Sequence, residues 1–368
     1  MQPLSPLQTS DQSTCQFLFS DSLRDFWDEL FVHQAYGILK DIPDTGCFMA
    51  VDSRVWELYK EVLKESLEGY RVRFFVIPSG ERSKSIACWK EMIDAAFSEA
   101  LRRNTPLIAV GGGVAGDLSG FVAASLMRGL PFIQVPTTLL AMVDSAIGGK
   151  TGINHPFGKN TIGAFYHPRA VFFHMGFLNT LPEREWLCGL SEVLKYGYIR
   201  ERHLLDKATQ LADSKKREPG LLREVIQTSV SIKADVVEKD SKEASIRAFL
   251  NFGHTFAHAL EAADGFKHIN HGEAVYAGMI AALYVSEKLG APVSAEHLIS
   301  MKETYQINLN SYTSRVDELV SLMKHDKKNK DASIRLVLLE DIGKPYLRSV
   351  KEDSLLREAW EYTLGKLT

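Results

Sequence analysis

Cysteine is scarce in this chain and scattered. Cys15, Cys47, Cys88 and Cys188 form no CxxC pair, which excludes a redox or zinc motif of that type and reads as reduced structural thiols in a cytosolic protein. Long apolar runs are missing too. None approaches the roughly 20 residues that span a bilayer, and the polar start MQPLSPLQTSDQST has no apolar signal core, so a cytoplasmic location is expected. Charge of one sign is also lacking. A net charge of -3 offers no bulk attraction to nucleic acid or to an anionic membrane, and neither is expected as a partner. There is no internal repeat and no low-complexity tract. What remains is 368 residues, 45% hydrophobic and 24% charged, enough for two domains with full cores.

The two halves are patterned differently. Cys47–Val51, Val72–Ile77, Leu107–Val110, Phe132–Val135 and Val171–His174 are short apolar runs of the buried-strand kind, separated by helical patterns such as Val55–Leu67 and Ile86–Leu101. This alternation predicts a mainly parallel sheet covered by helices. Beyond about residue 181 helical periods dominate until Ile334–Leu339, which predicts a late hairpin strand. Thr180-Leu-Pro-Glu183 has the form of a capping box with proline in the first turn, which marks the boundary. The expectation is an α/β domain over 1–180 and a mostly helical domain over 181–368, with the site in the cleft between them.

Metal chemistry is concentrated in the second half. His254 and His258 are four apart, in a stretch that reads as helix, and so share one face; His271 opens the next helical run. Neutral imidazoles suit zinc, and a catalytic zinc usually takes three protein ligands. Glu192 and Lys195 share a face of the 182–199 helix, flanked by Leu187, Leu190, Val193, Leu194 and Tyr196. At least one of the pair is therefore partly buried, and a buried carboxylate needs a cation or a metal. Glu192 is the natural third ligand beside His254 and His271.

Anion chemistry is concentrated in the first half. The run Leu107–Val110, then Gly111-Gly-Gly-Val-Ala-Gly-Asp117, then a helical stretch, is an arrangement in which backbone N–H groups approach a pyrophosphate. Gly111, Gly113 and Gly116 satisfy GxGxxG. The acid that a Rossmann site carries about 20 positions later is missing from Val135–Leu139, so a different dinucleotide geometry is expected. Ser79-Gly-Glu-Arg-Ser-Lys84 lies at the same sheet edge and is placed to supply polar contacts. Asp144–Asn154 and Gly158–Asn160 set Lys150, Lys159 and Asn160 among glycines and small residues, suited to a phosphate or carboxylate.

Taken together, Gly111–Gly120, Arg128–Pro131, Gln134–Lys150, Gly152–Asn160, Leu181–Lys195, Arg247–Glu261, His271–Glu273, Asp326-Lys-Lys328 and Ile334–Leu339 resemble, in order, the dehydroquinate synthase family of sugar-phosphate cyclases. The resemblance covers the chain from about residue 78; the first 45 residues match poorly. It implies an α/β plus α fold, NAD, a divalent metal (zinc, with cobalt an equal fit) and a homodimer. It implies Glu192, His254 and His271 as metal ligands, with His258 outside that set. The NAD site maps to Asp52, Ser79, Gly80, Glu81, Lys84, Gly113, Val114, Ala115, Gly116, Asp117, Thr137, Thr138, Lys150, Lys159, Phe177, Leu178, Asn179 and Thr180. The substrate pocket maps to Asp144, Lys150, Asn160, Lys195, Lys233, Arg247, Asn251, His258 and Lys328 or its neighbour Lys327, with Arg128 reaching a neighbouring subunit. The implied reaction takes a seven-carbon keto-acid phosphate through transient oxidation with NAD, phosphate elimination, re-reduction and intramolecular aldol closure.

Arg247 and Asn251, expected one turn apart on the same helical face, favour the branch whose substrate carries a carboxylate, since a sedoheptulose 7-phosphate cyclase needs no guanidinium there. Cyclases acting on an aminated substrate share most of these residues. A metal-dependent polyol dehydrogenase is the rival outside the family, but Lys150, Lys159, Lys195 and Lys233 favour a polyanionic substrate. A non-catalytic NAD- or metal-binding protein is disfavoured by the intact set Asp144, Lys150, Glu192, Lys195, His254 and His271.

Overall fold

A computed structural model describes residues 2–9, 14–32, 38–39, 46–240, 245–324 and 333–368. The chain divides into two compact units, Met1–Leu181 with Lys233–Ser241, and Pro182–Ile232 with Lys242–Thr368. No helix among the described residues is long and apolar enough to cross a membrane, and all four cysteines are buried thiols.

The first unit is built on a sheet whose six long strands are all parallel, in the spatial order Thr14–Phe19, Ala170–Phe173, Phe132–Pro136, Leu107–Gly111, Cys47–Asp52 and Val72–Ile77. Five of these are the apolar runs read from the sequence, to within a residue or two. Their continuous apolar character follows from burial on both faces. Met49 and Val51 join Trp27, Leu63, Ile108 and Val135 in one core. Phe48 and Ala50, one residue out of phase, join Met92, Leu118, Val122 and Phe132 in the other. The sixth strand, Thr14–Phe19, was not anticipated. It pairs in parallel with Ala170–Phe173 and buries Phe17, Leu18 and Phe19. Strand order reverses between Cys47–Asp52 and Leu107–Gly111, because the chain passes outward to Val72–Ile77 and returns on the other side. Such a switch point opens a crevice at the carboxyl ends of the strands, where ligands of α/β sheets sit.

Of the glycine-rich segments Asp144–Asn154 and Gly158–Asn160, the parts from Lys150 onward belong to an antiparallel hairpin of Lys150–His155 and Gly158–Phe165. Its edge is tied to the 79–84 segment: Asn154 donates its N–H to the Lys84 carbonyl at 2.8 Å and its side-chain amide to Glu81 at 2.7 Å.

Among its described residues the second unit is helical apart from the predicted late hairpin, Ile334–Asp341 against Lys344–Val350. Its first helix, Glu183–Ile199, is buried from Trp186 onward. The capping box expected at Thr180 is not formed. Pro182 is the N-cap, with no side-chain bond, and Thr180 ends a short 3-10 helix, Met175–Thr180, where its hydroxyl bonds to Tyr59. The helix therefore starts at Glu183, two positions beyond the start that a Thr180 cap would set.

Candidate active site

Each metal candidate sits where local chain chemistry starts or buries a helix. Glu192 and Lys195 face inward from Glu183–Ile199, 0% and 1% exposed, and their side chains form an ion pair. Both members are thus buried, more than the flanking residues alone required. The continuous helix expected across 251–258 is broken instead. A 3-10 helix, Ile246–Asn251, ends before Gly253, whose φ of 77° is left-handed, and the α-helix begins at His254. His271 is the first residue of His271–Lys288, whose N-cap Asn270 forms a capping box with Glu273. Arg184 of the first helix binds both oxygens of Glu273, at 2.6 and 2.7 Å, and the His268 carbonyl. Asp264 accepts the N–H groups of Lys267, His268 and Ile269 at 2.6, 2.6 and 3.1 Å, which shapes the link between the two histidine helices.

Glycines let these three helices touch at backbone level. A Cβ on Gly272 would lie 2.3 Å from Cys188 Cα, and one on Gly278 would lie 2.1 Å from the Gly253 carbonyl. Gly278→Ala is therefore expected to push the His254 and His271 helices apart. The expected cost is about 3 kcal/mol, read as a lower melting temperature, together with weaker zinc binding in a chelator competition. Unchanged zinc affinity would show that the close crossing is not needed by the site.

The outcome is a cluster in which one ligand atom each of Glu192, His254 and His271 lies within 4.8 Å of the others. Glu192 Oε1 stands 3.5 Å from His254 Nε2 and 3.3 Å from His271 Nε2. Ligands about 2.0–2.2 Å from a tetrahedral zinc stand about 3.3–3.6 Å apart, so the spacing fits one ion. The Nδ1 atoms are turned to other partners. His254 Nδ1 meets the Phe252 carbonyl at 3.1 Å, and His271 Nδ1 faces Glu261 at 3.6 Å. Burial pushes the His254 imidazole down to about 3, with Glu192 opposing and Lys195 adding to the fall. Burial also works against a charge on His271, but Glu192 and Glu261 outweigh it and lift that group to about 10. Two carboxylates facing one ring create a field for positive charge, and a divalent ion satisfies the same field. The donor set therefore fits zinc or cobalt. His258 packs ring to ring with His254 at 5.8 Å but is exposed and lies outside the cluster.

Arg247 and Asn251 also belong to the second unit. The expectation that they share one α-helical face does not hold. In a 3-10 helix, with three residues per turn, positions four apart diverge by about 120°. Arg247 is nevertheless 2% exposed, so it is no solvated surface arginine. Asp326, Lys327 and Lys328 lie outside the described residues.

In the first unit the glycine turn lies at the switch point. Gly113–Ser125 is a helix with Gly112 as N-cap, so the backbone N–H groups of Gly113, Val114 and Ala115 are at its start. A Cβ on Gly111 would lie 3.1 Å from that of Asp52, which places the carboxyl end of the neighbouring strand beside the turn. An acid, Asp52, thus stands beside the glycine turn, at the end of the neighbouring strand. Asp52 Oδ1 caps Ser53–Ser66, accepting the Arg54 N–H at 2.9 Å and the Ser79 hydroxyl. Gly80, with a φ of 105°, turns the chain into the short helix at Glu81.

The amine of Lys84 is buried and bonds Asp117 at 2.7 Å and the Asn160 amide oxygen, joining residues that the sequence divided between cofactor and substrate. Burial raises the Asp117 carboxyl, and Lys84 partly offsets this. Lys233 donates to both the backbone and the carboxylate of Asp144 at 2.7 Å, an Asp–Lys pair that sequence separation concealed. Thr137 donates its N–H to the Gly111 carbonyl at 3.0 Å, and Thr138 accepts the N–H of Ala141. Phe177 and Leu178 are buried and Asn179 is exposed on Met175–Thr180. Lys150 is exposed at the start of the hairpin, with Lys159 half-buried on its second strand; Arg128 is exposed with a φ of 66°.

Sequence reasoning missed Glu261, Gly272, Gly278, Arg184 and Asp264. Two signals were available: Asn270-x-x-Glu273 as a capping box, and Glu261 two turns after His254 on the same face.

Known proteins resemble this chain on both sides of residue 188. The 3-dehydroquinate synthase N-terminal family matches residues 74–188 and the 3-dehydroquinate synthase C-terminal family residues 189–329. A 3-dehydroquinate synthase of Salinibacter ruber is 43% identical over 86% of this chain and 88% of its own. That of Microcystis aeruginosa is 42% identical over 83% and 85%. Among solved structures, a 2-deoxy-scyllo-inosose synthase complexed with carbaglucose-6-phosphate, NAD+ and Co2+ superposes with a TM-score of 0.84 at 26% identity, covering 98% of this chain and 100% of the other. Matched over both halves, and at more than 40% identity to relatives over most of its length, the chain belongs to the 3-dehydroquinate synthase family.

Proposed function

We propose that the chain converts 3-deoxy-arabino-heptulosonate 7-phosphate to 3-dehydroquinate and inorganic phosphate, a phosphate-eliminating lyase step of aromatic amino-acid biosynthesis. The observation that carries this reading is the buried Glu192–Lys195 pair facing two imidazoles, at spacings that fit one divalent ion. In this reading residues 1–180 bind NAD, residues 181–368 bind metal and substrate, and Glu192, His254 and His271 hold zinc or cobalt. When bound, NAD accepts and returns a hydride, and the metal acts as a Lewis acid on the substrate alcohol.

The chain's own residues do the rest. The ammonium of Lys195, desolvated beside Glu192, stabilises negative charge as it develops on the substrate oxygen. Asn160, Asn251, His258 and Lys328 bind the phosphate, whose own oxygen helps remove the proton. Arg247 clamps the substrate carboxylate, with Lys150 as a second cation. Lys233 and Asp144 hold each other in place, and the amine of Lys84 fixes Asp117 and Asn160. The N–H groups at the start of Gly113–Ser125 receive the NAD pyrophosphate. Asp52, Ser79, Gly80, Glu81, Thr137, Thr138, Lys159 and Phe177–Thr180 complete the cofactor contacts. The reading includes a homodimer in the cytoplasm, with Arg128 serving the neighbouring subunit.

The test is turnover of that substrate by the metal-loaded protein with NAD, measuring phosphate and product together. Equal amounts of both are expected, with no lasting rise at the nicotinamide band. Chelation should stop the reaction, and zinc or cobalt should restore it. NADH accumulating from a polyol, with no phosphate released, would replace this reading with the dehydrogenase one.

A further inference from the structure

The Nε2 atoms of His254 and His271 both face Glu192, so each ring is oriented by what holds its Nδ1. For His254 that partner is neutral, the Phe252 carbonyl at 3.1 Å. For His271 the group facing Nδ1 is a carboxylate, Glu261 Oε1, at an ion-pair distance of 3.6 Å, just beyond hydrogen-bond reach. Glu261 is 6% exposed and lies two turns beyond His254 on His254–Asp264, so one helix presents a ligand and a carboxylate on the same face. The Nδ1–H of a metal-bound imidazole is a donor that a carboxylate in this position can accept. His271 also needs such a restraint. As the first residue of its helix, it lacks the preceding turn that packs a side chain in a helix interior.

We propose that Glu261 is a positioning residue for the metal centre. Its carboxylate holds His271 Nδ1–H, fixes the ring with Nε2 toward Glu192 and His254, and raises the basicity of that one ligand. The asymmetry is then built in: one histidine is tuned by a charge and the other by a peptide carbonyl. This rests on the reading of Glu192, His254 and His271 as metal ligands, so the test reads metal binding and not turnover.

Zinc affinity of the full chain is measured by chelator competition for the parent, Glu261→Ala and Glu261→Gln. The cobalt-loaded forms are compared by visible absorption. Loss of such an outer partner is worth about 10–100-fold in affinity, the loss expected for Glu261→Ala, with a shifted cobalt spectrum. Gln keeps an oxygen to accept Nδ1–H but no charge, so about a three- to tenfold loss and a near-parental spectrum are expected. A purely space-filling role would leave the cobalt spectrum of both variants unmoved. A folded Glu261→Ala that binds zinc within about twofold of a tight-binding parent would overturn the proposal. If Glu261→Ala does not fold, parental affinity and spectrum in Glu261→Gln would do the same. A parent that binds no zinc would overturn the metal reading itself.

Discussion

Glu192→Gln is expected to lower zinc affinity by about a thousandfold and to bring phosphate release to background. The substitution preserves shape but removes the one negative charge that faces both His254 and His271 through Oε1. It also leaves Lys195 buried beside a neutral amide. Removing one partner of a buried pair costs about 3–5 kcal/mol, so the metal-free variant should melt well below the parent. Chelator competition reads the affinity, and thermal denaturation of metal-free protein reads the second effect. Parental zinc affinity in a folded Glu192→Gln would show that the imidazoles bind the ion without this carboxylate, and the active-site assignment would fail. Glu192→Gln with Lys195→Met removes both charges, and should recover much of the lost stability while leaving zinc affinity low.

Arg247→Leu has the second-largest expected effect, and it falls on substrate choice. Arg247 is 2% exposed, so its guanidinium is largely desolvated. Pairing such a group with a carboxylate is worth about 2–5 kcal/mol when one partner is truncated. That is a loss of roughly 30- to 5000-fold in kcat/KM for the keto-acid phosphate. An analogue lacking the carboxylate should lose far less. Zinc affinity should stay near the parental value, which separates a binding role from general damage to the second unit. Equal losses on both substrates would leave Arg247 a structural residue and remove the reason for preferring a carboxylate-bearing substrate.

The parts of this protein that were legible in its sequence are those written in local pattern. Five of six long strands showed as apolar runs because a sheet covered on both faces requires continuous hydrophobicity. Thr14–Phe19 escaped because its first half, Thr-Cys-Gln, breaks that run, and its place is set by Ala170–Phe173 far along the chain. That at least one of Glu192 and Lys195 is partly buried was readable from the apolar residues flanking them; that both are fully buried was not. The shared face of Arg247 and Asn251 failed because it assumed an α-helix where the backbone is 3-10. The Thr180 cap failed for another reason: Thr180 closes the preceding 3-10 helix and Pro182 takes the N-cap position.

By itself, the sequence determined the residue types available for chemistry: imidazoles and a carboxylate for a cation, glycines before a helix for a pyrophosphate, and lysines among small residues for anions. Their order along the chain also determined the family resemblance. Only the tertiary structure decided which of them meet. Glu192 reaches His254 and His271 because Gly272 and Gly278 let three helices approach at backbone distance. Asp52 stands beside the glycine turn because strand order reverses there. That Glu261 faces His271 and Arg184 binds Glu273 became visible only once those helices were packed. Local sequence sets what a side chain can do, whereas the contacts that give it a partner close over long stretches of chain, and side-chain packing chooses among them.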